Sequence, residues 1–268
     1  MCPVICVSDI HGQLFVFPKI KELRRRYPSA HVVFGGDYQD SIHHHTGLAV
    51  ADTIRKMKIA EPDKIHVIKG NHDQLLWQSL TGKNTDWFEA GGDDIIEELS
   101  LTFTQSPADL WEAIELVKRK YAFLITWIGL LPMSVRIGHL IVVHAGIDLT
   151  LADPVKETSE HDKLWMREPY WYSAFYPNYA HNPLDAAIIS GHTPTSLITG
   201  IYDGQPSQET LRNRTVSPRG ILTVQYKNEY ARFFIDGGNH SGPVNHIGNI
   251  GVFDADTGRL IEAIEDSE

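Results

Sequence analysis

The chain of 268 residues is poor in several things, and each scarcity excludes a class of protein. It has two cysteines, Cys2 and Cys6. On one extended strand their Cα atoms would stand roughly 13 Å apart at ~3.3 Å per residue, whereas a disulfide needs less than about 7 Å. A disulfide framework is therefore excluded, and a reduced, cytoplasmic location is expected. No apolar run approaches the ~20 residues that cross a bilayer, so no membrane span is expected. The opening "MCPVICVSD" lacks a basic region and a cleavage site, and reads as a strand rather than a signal peptide. Positive charge is also scarce. Twenty-four Lys and Arg against 34 Asp and Glu leave a net charge of -10, which argues against a nucleic-acid-coating surface. Internal repeats, low-complexity tracts and long linkers are absent. The length suits one large domain or two small ones, with enough chain to bury a core without staples.

What the chain has in excess is histidine, fourteen in all, including an internal "HHHTG" that starts at His43. Their positions matter more than their number. The first half alternates strand and helix. "PVICV" predicts a strand, and the spacing Val16, Ile20, Leu23, Tyr27 predicts a helix face with Pro18 in its first turn. "HVVFGG" predicts a second strand, residues 46–60 a second helix and "KIHVIKG" a third strand. "SPAD" predicts Ser106 as N-cap and Pro107 as the first helical residue, continued by Leu110, Ile114, Val117 and Tyr121. The second half reads as hairpins: one around Gly138-His139, one around Lys227-Asn228 and one around residues 256–258. A βαβ half and a hairpin half imply a mixed sheet or two sheets covered by helices. Residues 151–183, rich in Pro, Trp and Tyr, are expected to be a surface excursion close to the site.

Five apolar runs end in polar clusters beside glycine. "VICVSDIHG" ends in Asp9 and His11, "VVFGGDYQD" in Asp37 and Asp40, "HVIKGNHD" in Asn71 and His72, "LIVVHAG" in His144, and "AAIISGHT" in His192. Ligands of open α/β sheets bind at the carboxyl ends of strands, so these groups should share one rim. Any one cluster alone is commonplace. Five together need a purpose, because polar side chains at a core edge are costly. Carboxylates with imidazoles suit Mn, Fe or Zn better than Ca or an all-oxygen Mg cage. There are too many for one ion, and two ions sharing a carboxylate would use them all. The adjoining glycines are expected to supply close approach and positive φ.

The ordered set Asp-x-His-Gly, Gly-Asp-x-x-Asp, Gly-Asn-His-Asp, His-Ala-Gly, Gly-His-Thr resembles the calcineurin-like metallophosphoesterases. It is most similar to their phosphoprotein-phosphatase branch in its bacterial and phage form, which has one histidine in the last motif. "DWFEAGGDD", "KLWMRE" and "FFIDGG" resemble further segments of that branch, so the resemblance runs from residue 8 to about 242. It implies an α/β fold, a two-sheet αββα sandwich forming one domain over 1–268. It implies two divalent ions, Mn with Fe and Zn as alternatives. Asp9 and His11 would hold the first, Asp37 would bridge, and Asn71, His144 and His192 would complete the second. His72 would protonate the leaving oxygen, oriented by Asp40, and Arg167 would grip phosphate oxygens with its planar fork. Asp73 is open between support of the site and N-cap of the following helix. The chain departs from the branch at Ser41, where an Arg is usual, and His43 to His45 are a solvated loop or a replacement for that charge.

The activity implied is hydrolysis of phosphomonoesters by direct attack of a metal-bridging water. The substrate would be a serine/threonine phosphoprotein. The alternative is a small phosphoester or nucleotide, as in symmetrical diadenosine tetraphosphate hydrolases, which share features with this branch; Ser41 and the aromatic run "LWMREPYWYSAFYPNY" bear on that alternative. A third reading, a metal-containing binding module without catalysis, fits poorly with an intact ligand set. Composition and motifs do not fix the oligomeric state.

Overall fold

The computed structural model describes residues 1–41, 43, 46–92, 96, 107–167, 182–198, 210–214, 219–242 and 246–266. Two sheets carry the fold. The first has the order β11-β10-β1-β2-β3, with β1 (Pro3–Val7), β2 (His31–Phe34), β3 (Ile65–Val67), β10 (Asn249–Asp254) and β11 (Arg259–Glu265). The second has the order β4-β5-β6-β9-β8-β7, with β4 (Ser134–Ile137), β5 (Leu140–Val143), β6 (Ala187–Ser190), β7 (Thr210–Arg214), β8 (Leu222–Tyr226) and β9 (Arg232–Phe234). Each sheet contains three parallel strands, β1-β2-β3 in the first and β5-β6-β9 in the second, and antiparallel strands extend each set.

The apolar pattern explains the layering. Side chains alternate across a strand; both faces of β1, β5 and β6 are buried, so these read as continuous apolar runs, while β4 and β11 are partly exposed. On β1, Val4 and Cys6 face the second sheet and pack with Leu140, Val142, Ile189 and Phe233. Ile5 and Val7 face the other way, into a helical layer of α1 (Val16–Arg26), α2 (Gly47–Ala60), α3 (Asn71–Leu80), α4 (Leu110–Lys120) and α5 (Ala122–Gly129). The outer face of the second sheet packs Ile141, Val143, Ile188 and Phe234 with Ile147, Leu149 and Ile198. The result is the αββα sandwich.

The three predicted hairpins form, and Gly138 takes φ +54 in the first. Two mixed sheets form, and the hairpins divide between them. The last hairpin, β10-β11, lies in the first sheet, where β10 pairs antiparallel with β1, from Pro3↔Asp254 to Val7↔Ile250. Strand alternation sets which face is apolar but not which edge a strand joins. The α4 start differs from the expectation. Its N-cap is Asp109, whose side chain accepts from the Glu112 amide at 2.9 Å, so Pro107 precedes the helix. Ser106 lies outside the described residues. Ser-Pro and Asp are rival N-terminal signals two to three residues apart, and the acceptor that reaches an N3 amide decides between them. No helix among the described residues is long and apolar enough to cross a membrane. Of the expected excursion, residues 151–167 carry α6 (Pro154–Glu157) and α7 (Glu160–Trp165), while 168–181 lie outside the described residues.

Candidate metal and phosphate site

The site forms where the parallel strands of both sheets end. The turns after β1 and β2 are zipped together: the amides of Asp9, His11 and Gly12 donate to the carbonyls of Gly36, Asp37 and Tyr38 at 2.9–3.1 Å. Holding the backbone this way demands unusual dihedrals. Asp9, His11, Asp37, Asp40 and His192 all have φ between +46 and +67. Such conformations cost on the order of 1 kcal/mol or more each outside glycine, and they persist where surrounding structure over-determines them. The sequence pattern placed this strain on the neighbouring glycines. The structure places it largely on the polar residues themselves, and Gly70 and Gly191 are needed for close approach. A Cβ on Gly70 would stand 2.1 Å from Asp37 Oδ1, and one on Gly191 would stand 2.0 Å from Asp9 Oδ2.

The five strand ends bring the predicted ligands into two buried groups. Asp9, His11 and Asp37 form one; Asp37, His144 and His192 form the other. One atom joins them. Asp37 Oδ2 lies 3.7 Å from His11 Nε2 and 3.3 Å from His144 Nε2. Asn71 Oδ1 completes the second group, 2.8 Å from His144 Nε2 and 2.9 Å from His192 Nδ1.

The donor chemistry fits cations. His144 Nδ1 is 3.0 Å from the Gly35 carbonyl and must carry a proton to bond it. In a neutral ring, Nε2 then presents a lone pair to the lone pairs of Asn71 Oδ1, which requires positive charge between them. His11 repeats the pattern, with Nδ1 on the Asp40 and Gln39 carbonyls at 2.5 and 2.9 Å and Nε2 turned to Asp37. An Nδ1–H held by a carbonyl is the usual support for an Nε2 ligand. The electrostatics state the same demand. Burial favours neutral His144, yet the carboxylate of Asp37, with Asp9 behind it, raises its pKa to about 10. Burial likewise opposes charge on Asp37, and the imidazoles, His144 foremost, hold it well below the usual carboxylate range. Burial pushes Asp9 up to about 6 and His11 down to about 3.

Beside these groups stands a dyad. His72 Nδ1 is 3.0 Å from Asp40 Oδ2. Burial would lower the His72 pKa, but Asp37 and the bonded Asp40 outweigh it and raise it to about 9. Asp40 is itself anchored by the indole of Trp87, whose Nε1–H donates to both carboxylate oxygens at 2.7 Å. Trp87 is fully buried, and Gly92 lies against its ring, where a Cβ would come within 2.2 Å. That contact gives the spacing of Trp87 and Gly92 within "DWFEAGGDD" a physical reason. Of the two roles left open for Asp73, the structure shows support of the site; the N-cap of α3 is Gly70, and Asp73 is the third residue of the helix. Its Oδ2 accepts from the Gly70 amide at the start of α3 and from the Asp37 amide, both at 2.8 Å. From inside the first turn it reaches back to the N-cap amide and props the shared residue at once. Arg167 reaches the last motif, donating from Nη1 to Thr193 Oγ1 at 2.9 Å.

All nine predicted site residues thus meet at one rim, with Arg167 at its edge. Sequence reasoning missed the part Trp87 plays and missed His240 altogether. His240 packs against His11 and His72, with ring centroids 4.9 and 5.1 Å away. The only sequence signal was its place shortly after the "FFIDGG" strand end. Ser41 spends its hydroxyl on the His240 carbonyl at 3.2 Å. His43 is exposed, and His44 and His45 lie outside the described residues.

A rim of carboxylates, imidazoles and one amide at the ends of two packed sheets defines a class, the α/β sandwich with a paired-ion ligand set. Residues 2–215 match the family model of the calcineurin-like phosphoesterases, and the chain belongs to that family. Short segments resemble curated relatives. One is 34% identical over 74 residues to the serine/threonine-protein phosphatase PP2A-like PPG1 of Saccharomyces cerevisiae, 26% of this chain and 19% of that protein. Another is 30% identical over 71 residues to a protein phosphatase 2A catalytic chain of Dictyostelium discoideum, 26% of this chain and 22% of that protein. The matches therefore span about a fifth of those relatives. Among solved structures, a protein serine/threonine phosphatase from Saccharomyces cerevisiae with similarity to human phosphatase PP5 superposes with a TM-score of 0.53 at 14% identity. That match covers 100% of this chain and 81% of the other, and bears on the fold alone.

Proposed function

We propose that this protein is a metal-dependent phosphoesterase that hydrolyses phosphomonoesters, with phosphoserine and phosphothreonine proteins as its substrates. The observation that carries this reading is the single oxygen, Asp37 Oδ2, common to two ligand groups, with the His72–Asp40 dyad alongside. Asp9, His11 and Asp37 would hold one divalent ion, and Asp37, Asn71, His144 and His192 the other. A mixed oxygen and imidazole set takes Mn, Fe or Zn, and Mn is the ion we assign. Bound there, the pair would supply Lewis-acid charge at the phosphoryl oxygens and acidify water.

The remaining work falls to the chain's own residues. Asp40 accepts from His72 Nδ1, which fixes the ring and leaves the Nε2 proton for the departing oxygen. Trp87 keeps Asp40 from turning away. The Arg167 fork suits the equatorial oxygens of a phosphoryl group. In this structure it is parked on Thr193, within the motif that ends in the second group. Walls of buried side chains exclude bulk water around Asp37.

The test is turnover of the Mn-loaded protein on a phosphothreonine peptide and on diadenosine tetraphosphate at matched concentration. Faster release of phosphate from the peptide is expected. Preference for the dinucleotide would replace the phosphoprotein reading with the nucleotide one, and turnover of neither would overturn both.

A further inference from the structure

The proposed chemistry uses His11 and His72 and leaves a third imidazole beside them without a task. His240 lies in the turn after β9. Its ring centroid is 4.9 Å from that of His11 and 5.1 Å from that of His72, which are themselves 5.1 Å apart. The three rings make a nearly equilateral triangle. Two of its corners bracket the reaction: His11 belongs to the first ligand group, and His72 holds the proton for the leaving oxygen. A phosphoryl group lying over this triangle would be in reach of all three.

The three rings differ in how they are used. His11 and His72 each spend Nδ1 inside the protein, His11 on the Gln39 and Asp40 carbonyls and His72 on the Asp40 carboxylate. No hydrogen bond among the described residues engages a ring nitrogen of His240, which is half-buried. Its backbone, in contrast, is tied down. Ser41 Oγ donates to the His240 carbonyl at 3.2 Å, and the neighbouring Asn239 donates from Nδ2 to the Asp9 carbonyl at 3.2 Å. Gly238 donates to Asp236 at 2.7 Å. Rigid backbone with an uncommitted ring is an arrangement for contacting a ligand, because the ordering cost is met before the ligand arrives.

We infer that His240 contacts the substrate, donating a ring N–H hydrogen bond to an oxygen of the bound phosphomonoester, and that Ser41 sets its reach by holding its carbonyl. The inference rests on the phosphomonoesterase reading. A ring that only packs against His11 and His72 would be replaceable by any aromatic ring. A donor would not.

His240→Phe keeps a flat ring and removes the N–H; His240→Gln keeps a donor and removes the ring. On the Mn-loaded protein, KM for a phosphothreonine peptide and the inhibition constant of inorganic phosphate should both rise about tenfold in the Phe variant, the scale of one hydrogen bond to a charged group. The Gln variant should recover part of both, with Mn content and thermal unfolding close to wild type. Unchanged constants in His240→Phe, or equal losses in both variants, would overturn the assignment. Phosphate binding is also read directly by calorimetry, wild type against each variant. A wild-type protein that binds phosphate through His240 without turning over the peptide would sink the functional reading and spare this one.

Discussion

The two ligand groups differ in where their residues come from. Asp9, His11 and Asp37 all follow strands of the first sheet, on turns zipped to one another by three backbone hydrogen bonds. The second group straddles the sandwich. Asp37 and Asn71 come from the first sheet, while His144 and His192 follow β5 and β6 of the second. The first group is local and depends on two adjacent turns. The second depends on how the sheets face each other, with Phe233 of β9 edge-on to Phe253 of β10, centroids 4.9 Å apart, in the shared core. Proximity in one sheet and proximity across two are thus separate demands on the fold, and Asp37 alone answers to both.

Replacing that shared residue should erase the distinction. Asp37→Asn is expected to lower turnover by more than the ~100-fold that follows loss of a mere supporting contact, and to leave less than two Mn per chain by elemental analysis. Retention of near-wild-type hydrolysis with both ions bound would refute the shared role. Next in size, His72→Asn should reduce kcat by roughly 10²–10⁴ while leaving both ions in place, as the proton transfer proposed for the dyad requires.

A third change sharpens the contrast. Phe233→Ala opens the core between the sheets at a cost of about 3–5 kcal/mol. The weaker of two Mn affinities, measured by calorimetry, should fall further while the stronger holds, if the straddling group depends on sheet packing. Equal losses would mean that the two groups respond to packing alike. The pH behaviour of the dyad comes next. In the metal-free protein, His72 should titrate near 9, followed by its ring proton signals. Its folded pKa is raised, so the charged form persists from acid up to that value and is lost as pH rises through it. Asp40→Asn should move the midpoint down, toward the ~6.5 of a free histidine. The smallest effect is expected from Trp87→Phe, which keeps the ring packed on Gly92 and removes the indole donor to Asp40. A loss of about tenfold in kcat with unchanged Mn content is anticipated, the scale of one charge-assisted hydrogen bond.

Much of this site was legible beforehand. Strand ends that carry Asp, His or Asn beside glycine stand out because the apolar runs before them are continuous and the polar groups after them are dear to bury. Trp87 was less legible: a buried tryptophan in a glycine-rich segment reads as packing until its N–H is seen on Asp40. His240 gave almost no signal, since one histidine in a loop is ordinary and its neighbours lie more than 150 residues away in sequence. The α4 start was misplaced because Ser-Pro and Asp offered competing caps two to three residues apart.

The chain by itself determined the strands with two buried faces, the hairpin turns and the identity of the candidate metal ligands, since these depend on local periodicity and side-chain chemistry. Only the tertiary structure decided that β10 joins β1, that Asp37 Oδ2 stands between two imidazoles from different sheets, and that left-handed backbone falls on Asp9, His11, Asp37, Asp40 and His192. Edge choice, inter-sheet distance and strained dihedrals are set by packing energies summed over the whole molecule. No short stretch of sequence holds that sum.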